Sequence, residues 1–274
     1  MRLLEQYWNG ESRLRLKYGE PKTRLQLFRL VLSERVLSLV PVNLLYVVFW
    51  IPAIVWTVAN ILTIRATITS GNPGTDTIRT MNLYVLGLWP CIAITGPADA
   101  GISLLMRNWA RDQECPAFRT IWKGFRENFG QAIVVSAITG LVPVSIWYCY
   151  LAASQAGTMQ LMSVLLIVTC VVFALWMLSR QVVFVLLVTY RLSLAGHLRN
   201  AFLLTLMKLP MFLLIRIAAS AVLLLYLALC LCQPEARYAL LALPLLYYFF
   251  IGGALTHLIY CSYANKLCDD YLGK

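Results

Sequence analysis

Six long apolar stretches, near residues 36–62, 81–106, 130–151, 160–188, 206–231 and 238–261, alternate with shorter segments that hold most of the charge. A helix needs about 20 predominantly apolar residues to cross a hydrocarbon core about 30 Å thick. The pattern therefore predicts an all-α, polytopic membrane protein of about six transmembrane helices in three hairpins. "TSGNPGTDT" at 69–77 is rich in Gly, Pro, Asn and Asp and reads as the turn of the first hairpin. Between the second and third stretches, Phe118, Ile121, Trp122, Phe125 and Phe129 recur at the spacing of one helix face, with Arg119, Lys123 and Arg126 pointing away from it. That pattern predicts an amphipathic helix over 115–131. Its aromatics would enter the acyl boundary and its cations would meet headgroups, or its face would dock into a protein partner's groove.

Composition agrees with the pattern: 60% of the 274 residues are hydrophobic and 13% are charged, against about a quarter charged in ordinary soluble domains. The mean hydropathy is +0.73. Charge then sets the orientation, because short cytoplasmic loops hold the excess of Lys and Arg. With the N-terminus inside, the inner segments 1–35, 107–128 and 191–208 and the tail carry eight, five, three and two such residues. The outer loops 63–80, 152–159 and 232–237 carry two, none and one. The expected topology is N-in and C-in. It comprises a basic amphipathic cytosolic segment over 1–35, one transmembrane domain over 36–265 and a short cytosolic tail over 266–274. Residues 1–35 are too long and too charged for a cleavable signal peptide. The net charge of +11 follows the inside rule, so the lipid bilayer, and not nucleic acid, is the expected partner.

The second stretch contains "TGPAD", residues 95–99. Proline lacks an N–H and suits the first position of a helix, so Gly96 and Pro97 predict a broken span. Asp99 would then offset the positive end of the new half-helix. An intramembrane charge is also a functional hypothesis by default. Asp99 lies eight residues from Arg107, and Arg216 lies eight from Lys208, which puts both about 12 Å deep at 1.5 Å per residue. Arg180, eleven residues from Arg191, falls near the same layer. Two readings stay open at this point: Asp99 as a helix cap with both arginines snorkelling to the headgroups, or a charged cluster in which Asp99 meets Arg180 or Arg216.

His197 and His257 are the only histidines, and the eight cysteines form no CxxC pair, so no metal centre or cofactor is expected. Cys149, Cys230 and Cys232 lie near the expected outer face, without a spacing that demands a disulfide. Nucleotide-binding and hydrolase signatures are absent, and the expectation is that the chain is not an enzyme.

The block "GPADAGISLLMRNWARDQECPAFRTIWKGFRENFGQA", 96–132, resembles the YesL-like family of bacterial integral membrane proteins, a domain of unknown function. "NLLYVVFWIP" at 43–52 and "RNAF" at 199–202 look like that family's first span and second cytosolic loop. The chain departs from the family's short members in a longer stretch between its first-span proline and the Gly-Pro-Ala turn. The resemblance implies a bacterial cytoplasmic (inner) membrane protein encoded near carbohydrate ABC importers. From it we expect a non-enzymatic accessory or regulatory component of carbohydrate transport, docking importer subunits through 115–131. The alternative is a self-contained transporter or channel for a small solute or cation, using the break at Gly96 and Pro97 with Asp99, Arg180 and Arg216.

Overall fold

The computed structural model describes residues 23–69, 73–155 and 159–271, and among these every regular element is helical. In chain order these are α1 (Arg24–Thr69), α2 (Pro73–Ala110), α3 (Ala117–Glu127), α4 (Phe129–Gln155), α5 (Met159–Leu187), α6 (Leu194–Met207), α7 (Leu209–Ala219) and α8 (Ala221–Cys232). A 3-10 turn (Pro234–Ala236), α9 (Arg237–Leu240), α10 (Ala242–Tyr247), a π-turn (Tyr248–Gly252) and α11 (Gly253–Tyr271) follow. Five helical segments are long and apolar enough to cross a membrane: Leu25–Thr69, Asp76–Ala110, Phe129–Ala152, Ser163–Leu187 and Ala242–Cys268. The chain is a multi-pass helical membrane protein.

Three expectations change. Residues 24–35 are not a separate segment, because α1 runs unbroken for 46 residues from Arg24; the rest of the expected N-terminal segment, 1–22, lies outside the described residues. The expected span 206–231 is not one helix either. Pro210 sits in the first turn of α7, where it has no N–H to continue the ladder of α6. The chain therefore turns by 93° between α6 and α7. A second interruption follows at Ser220, whose N–H closes back onto the Arg216 and Ile217 carbonyls.

The third correction concerns Gly96 and Pro97. They do not break the second span: α2 passes through both as one 38-residue helix, so Asp99 is not at a helix start. Proline is tolerated inside membrane helices when neighbouring helices hold the backbone, and here they do. A Cβ at Gly96 would overlap the Ala132 carbonyl of α4. One turn further, a Cβ at Gly101 would lie 2.5 Å from the Ile121 carbonyl of α3, and one at Gly124 would lie 2.9 Å from the Gly101 Cα. Small residues let helix backbones approach closely where apolar lipid supplies no hydrophobic drive, and α2 uses that on two sides.

These approaches make α2 the central helix, touching α1, α3, α4, α5 and α11. Its inner side buries Ala98, Ala100, Ile102, Leu105, Met106 and Trp109. Asp112 ends it in the left-handed region at φ 58°, with Gln113 N–H donating to the Asn108 carbonyl and Asp112 N–H to that of Trp109, the bond pair of a Schellman cap. The second half of α5, from Leu178 to Leu187, is buried on every side, whereas Val164, Ile167, Val168 and Val171 in its first half are exposed, as a lipid-facing surface requires.

Gly96→Ala should lower the melting temperature of the detergent-purified protein, since the new methyl meets backbone and overpacking costs about 1–3 kcal/mol. Gly130→Ala, with nothing within 4 Å of the added Cβ, should melt as the parent does or higher. Equal melting of Gly96→Ala and the parent would contradict the close approach of α2 and α4.

Candidate intramembrane site

Asp99 is fully buried, and its carboxylate is the meeting point of four helices. Arg180 of α5 donates from Nη2 to Oδ2. Tyr46 of α1 donates its hydroxyl to Oδ1 at 2.6 Å, and His257 Nε2 of α11 lies 3.2 Å from the same oxygen. A carboxylate accepts only, so the proton of this contact sits on Nε2. The Nδ1 of a neutral ring then accepts from the Ser103 hydroxyl, 3.2 Å away. The Arg180 guanidinium also lies 5.3 Å from the Phe184 ring centroid. A buried carboxylate needs both a counter-charge and hydrogen bonds to remain ionised, and this one has them.

Neighbouring backbone features position the partners. The π-turn leaves carbonyls outside the regular ladder. Asn43, one turn before Tyr46, donates from Nδ2 to the Tyr248 and Phe249 carbonyls at 2.8 and 2.7 Å, and accepts from Ala254 N–H at 2.8 Å. The same contact brings Gly253 against Tyr46: a Cβ there would lie 2.7 Å from Tyr46 Cδ1. Glycine thus lets the Tyr46 ring rest on the α11 backbone, edge-on to His257 at 5.5 Å between ring centroids.

Tyr46, Arg180 and His257 form the floor of a cavity of about 710 Å³. Its walls include Trp50 and Ile54 of α1, Thr139 and Pro143 of α4, Arg216 and Ser220 of α7 and its end, Tyr226 of α8, and Pro244, Tyr248 and Phe249. From the floor it extends toward the end of the bundle that holds Thr69 and Pro73. A second cavity of about 770 Å³ lies at the opposite end, beside Asn128, Gln131, Arg191 and His197.

Asp99 and Arg180 therefore come together. Arg216 stands apart, half-buried in the cavity wall and close to the Tyr260 hydroxyl. Ser103, His257 and Asp99 follow the order of a hydrolase triad, but Ser103 is fully buried and lines neither cavity. Among the described residues no group of three or more His, Cys, Asp or Glu side chains could hold a metal ion. All eight cysteines are free thiols.

Within the expected 115–131 a helix, α3, runs over Ala117–Glu127, and its residues divide differently from the expected face. Thr120, Ile121 and Gly124 are buried, Ile121 and Gly124 against α2. Phe125 stacks on Trp122 at 5.3 Å and reaches Phe49 of α1 at 5.6 Å. Phe118 and Trp122 are 70% and 50% exposed, beside exposed Arg119, Lys123 and Arg126. Phe129 is exposed too, but begins α4.

Residues 39–150 match a family model described as "Protein of unknown function, DUF624". The match supports a family of unknown function. It spans most of α1, all of α2 and α3, and α4 as far as Tyr150, and so includes Tyr46, Asp99 and Ser103. Arg180, Arg216 and His257 lie beyond it. No curated protein and no solved structure matches the chain.

Asp99→Asn should destabilise the protein by about 3–5 kcal/mol, the cost of leaving one member of a buried ion pair uncompensated. Adding Arg180→Gln should recover part of that loss in a double-mutant cycle of thermal stability in detergent. Strict additivity of the two substitutions would show that the side chains are not coupled.

Proposed function

We propose that this chain binds a small solute in the central cavity and acts as a self-contained transporter or channel. The observation that carries the reading is the fixed polar floor of that cavity. Asp99, Arg180, Tyr46 and His257, drawn from four helices, spend a buried charge pair at a place where apolar packing would hold the helices without desolvating ions. Intramembrane ionisable groups mark solute pathways, and a cavity of about 710 Å³ lies within the range of small-molecule sites. The interrupted segments around it support the same reading: the break at Ser220 and the π-turn at Tyr248–Gly252 both border the cavity. Irregular backbone at membrane depth is tolerated where it lines a cavity. The discontinuity thus lies in the later helices and not at Gly96 and Pro97.

One observation favours an accessory role as a second reading. Phe118 and Trp122 are exposed on α3 while its opposite side is packed on α2, so the helix presents an aromatic pair ringed by cations. Together with the YesL-like resemblance, this supports docking onto carbohydrate importer subunits at the cytosolic face of a bacterial inner membrane. Phe118→Ala with Trp122→Ala should abolish co-purification of importer subunits from native membranes in mild detergent. Identical recovery with the parent and the variant, or recovery of none with either, would remove that reading.

The cavity reading requires access from water. In a cysteine-free background reconstituted in vesicles, Ser220→Cys should react with a charged, water-soluble methanethiosulfonate reagent, while Ser103→Cys, buried below the floor, should not. Unreactive Ser220→Cys would mean a sealed cavity and would sink the solute-binding role.

A further inference from the structure

Resting on the cavity reading, we infer that the solute is an amphipathic organic anion and that Arg216 binds its acidic group. The cavity wall contains two arginines and no carboxylate. Arg180 is already matched by Asp99 behind the floor. Arg216 has no carboxylate within ion-pair distance among the described residues, although it is half-buried in an apolar segment. The buried Tyr260 hydroxyl lies close to it, but as a neutral group brings no opposing charge. The cavity is therefore short of one negative charge. An unmatched cation in a low-dielectric wall is costly, and an incoming anion removes that cost while gaining charge-assisted hydrogen bonds from a planar guanidinium.

The rest of the wall sets the body of the ligand. Trp50, Tyr226, Pro244, Leu245, Tyr248 and Phe249 make it mainly apolar and aromatic. A small hydrated anion would leave these surfaces without contacts, and a cation would face the unmatched Arg216. A carboxylate on an alkyl or aryl body satisfies both parts. The same chemistry could arrive from water as a free acid or from the bilayer as an anionic lipid.

The test uses the full chain in phosphatidylcholine nanodiscs, with octanoate, 4-phenylbutyrate and indole-3-acetate each compared with its primary amide by equilibrium binding. The acids should bind more tightly than the amides by about tenfold or more, the scale of a hydrogen bond to a charged group. Arg216→Gln should abolish that preference while leaving amide binding in place, and Arg216→Lys should restore part of it; equal thermal melting shows that each variant is folded. Acid and amide binding equally to the parent, or a preference unchanged in Arg216→Gln, would overturn the assignment of Arg216 and leave the cavity reading standing. Binding of neither class would overturn both. With the preference established, phosphatidylglycerol nanodiscs separate the sources: loss of acid binding assigns the anion to lipid, and unchanged binding assigns it to the aqueous phase.

Discussion

A buried carboxylate facing a buried guanidinium is the constraint around which this bundle is arranged. Asp99 and Arg180 are joined by Tyr46 and His257, so one oxygen pair holds α1, α2, α5 and α11 at a single level. A pair of this kind contributes less through its net energy than through the penalty for leaving either partner alone. Any arrangement that parts α2 from α5 strands a charge in an apolar interior. The cluster specifies which helices meet and at what height, which lipid-facing apolar surfaces cannot do.

Several backbone features depend on that level. Gly96 and the Gly101–Gly124 crossing bring α4 and α3 onto α2 on either side of Asp99. Asn43 holds the π-turn one helical turn away from Tyr46, and Gly253 gives the Tyr46 ring its resting place. The π-turn shifts the register of α11, which carries His257 one turn further on. The cavity is the space left above this floor, bordered by Ser220 at the junction of α7 and α8.

Much of the architecture was legible in the chain, for a physical reason. Apolar runs of about 20 residues have few alternatives in a bilayer, so the first four spans stand near their expected positions. Asp99 was conspicuous because a carboxylate in such a run is costly. Its pairing with Arg180, and not with Arg216, was open, since depth counted along a helix says nothing about which face meets which neighbour. Tyr46 was hidden in an apolar run. A signal for His257 was present: it lies nine residues before Lys266, the layer of Asp99, yet a lone histidine reads as structural. Pro97 misled because proline alone predicts a break, whereas packing from α3 and α4 holds α2 together. Pro210 behaved as its chemistry dictates, but inside a run too apolar for the bend to show.

The bundle's arrangement depends on the surroundings of Asp99, and a cryo-electron-microscopy map of the chain in a lipid nanodisc views them most directly. It should show α2 continuous through Pro97, with the Arg180, Tyr46 and His257 side chains converging on the Asp99 carboxylate beneath the cavity. A second span parted at Pro97, with Arg180 extended to the headgroups and Asp99 capping the new helix end, would contradict it.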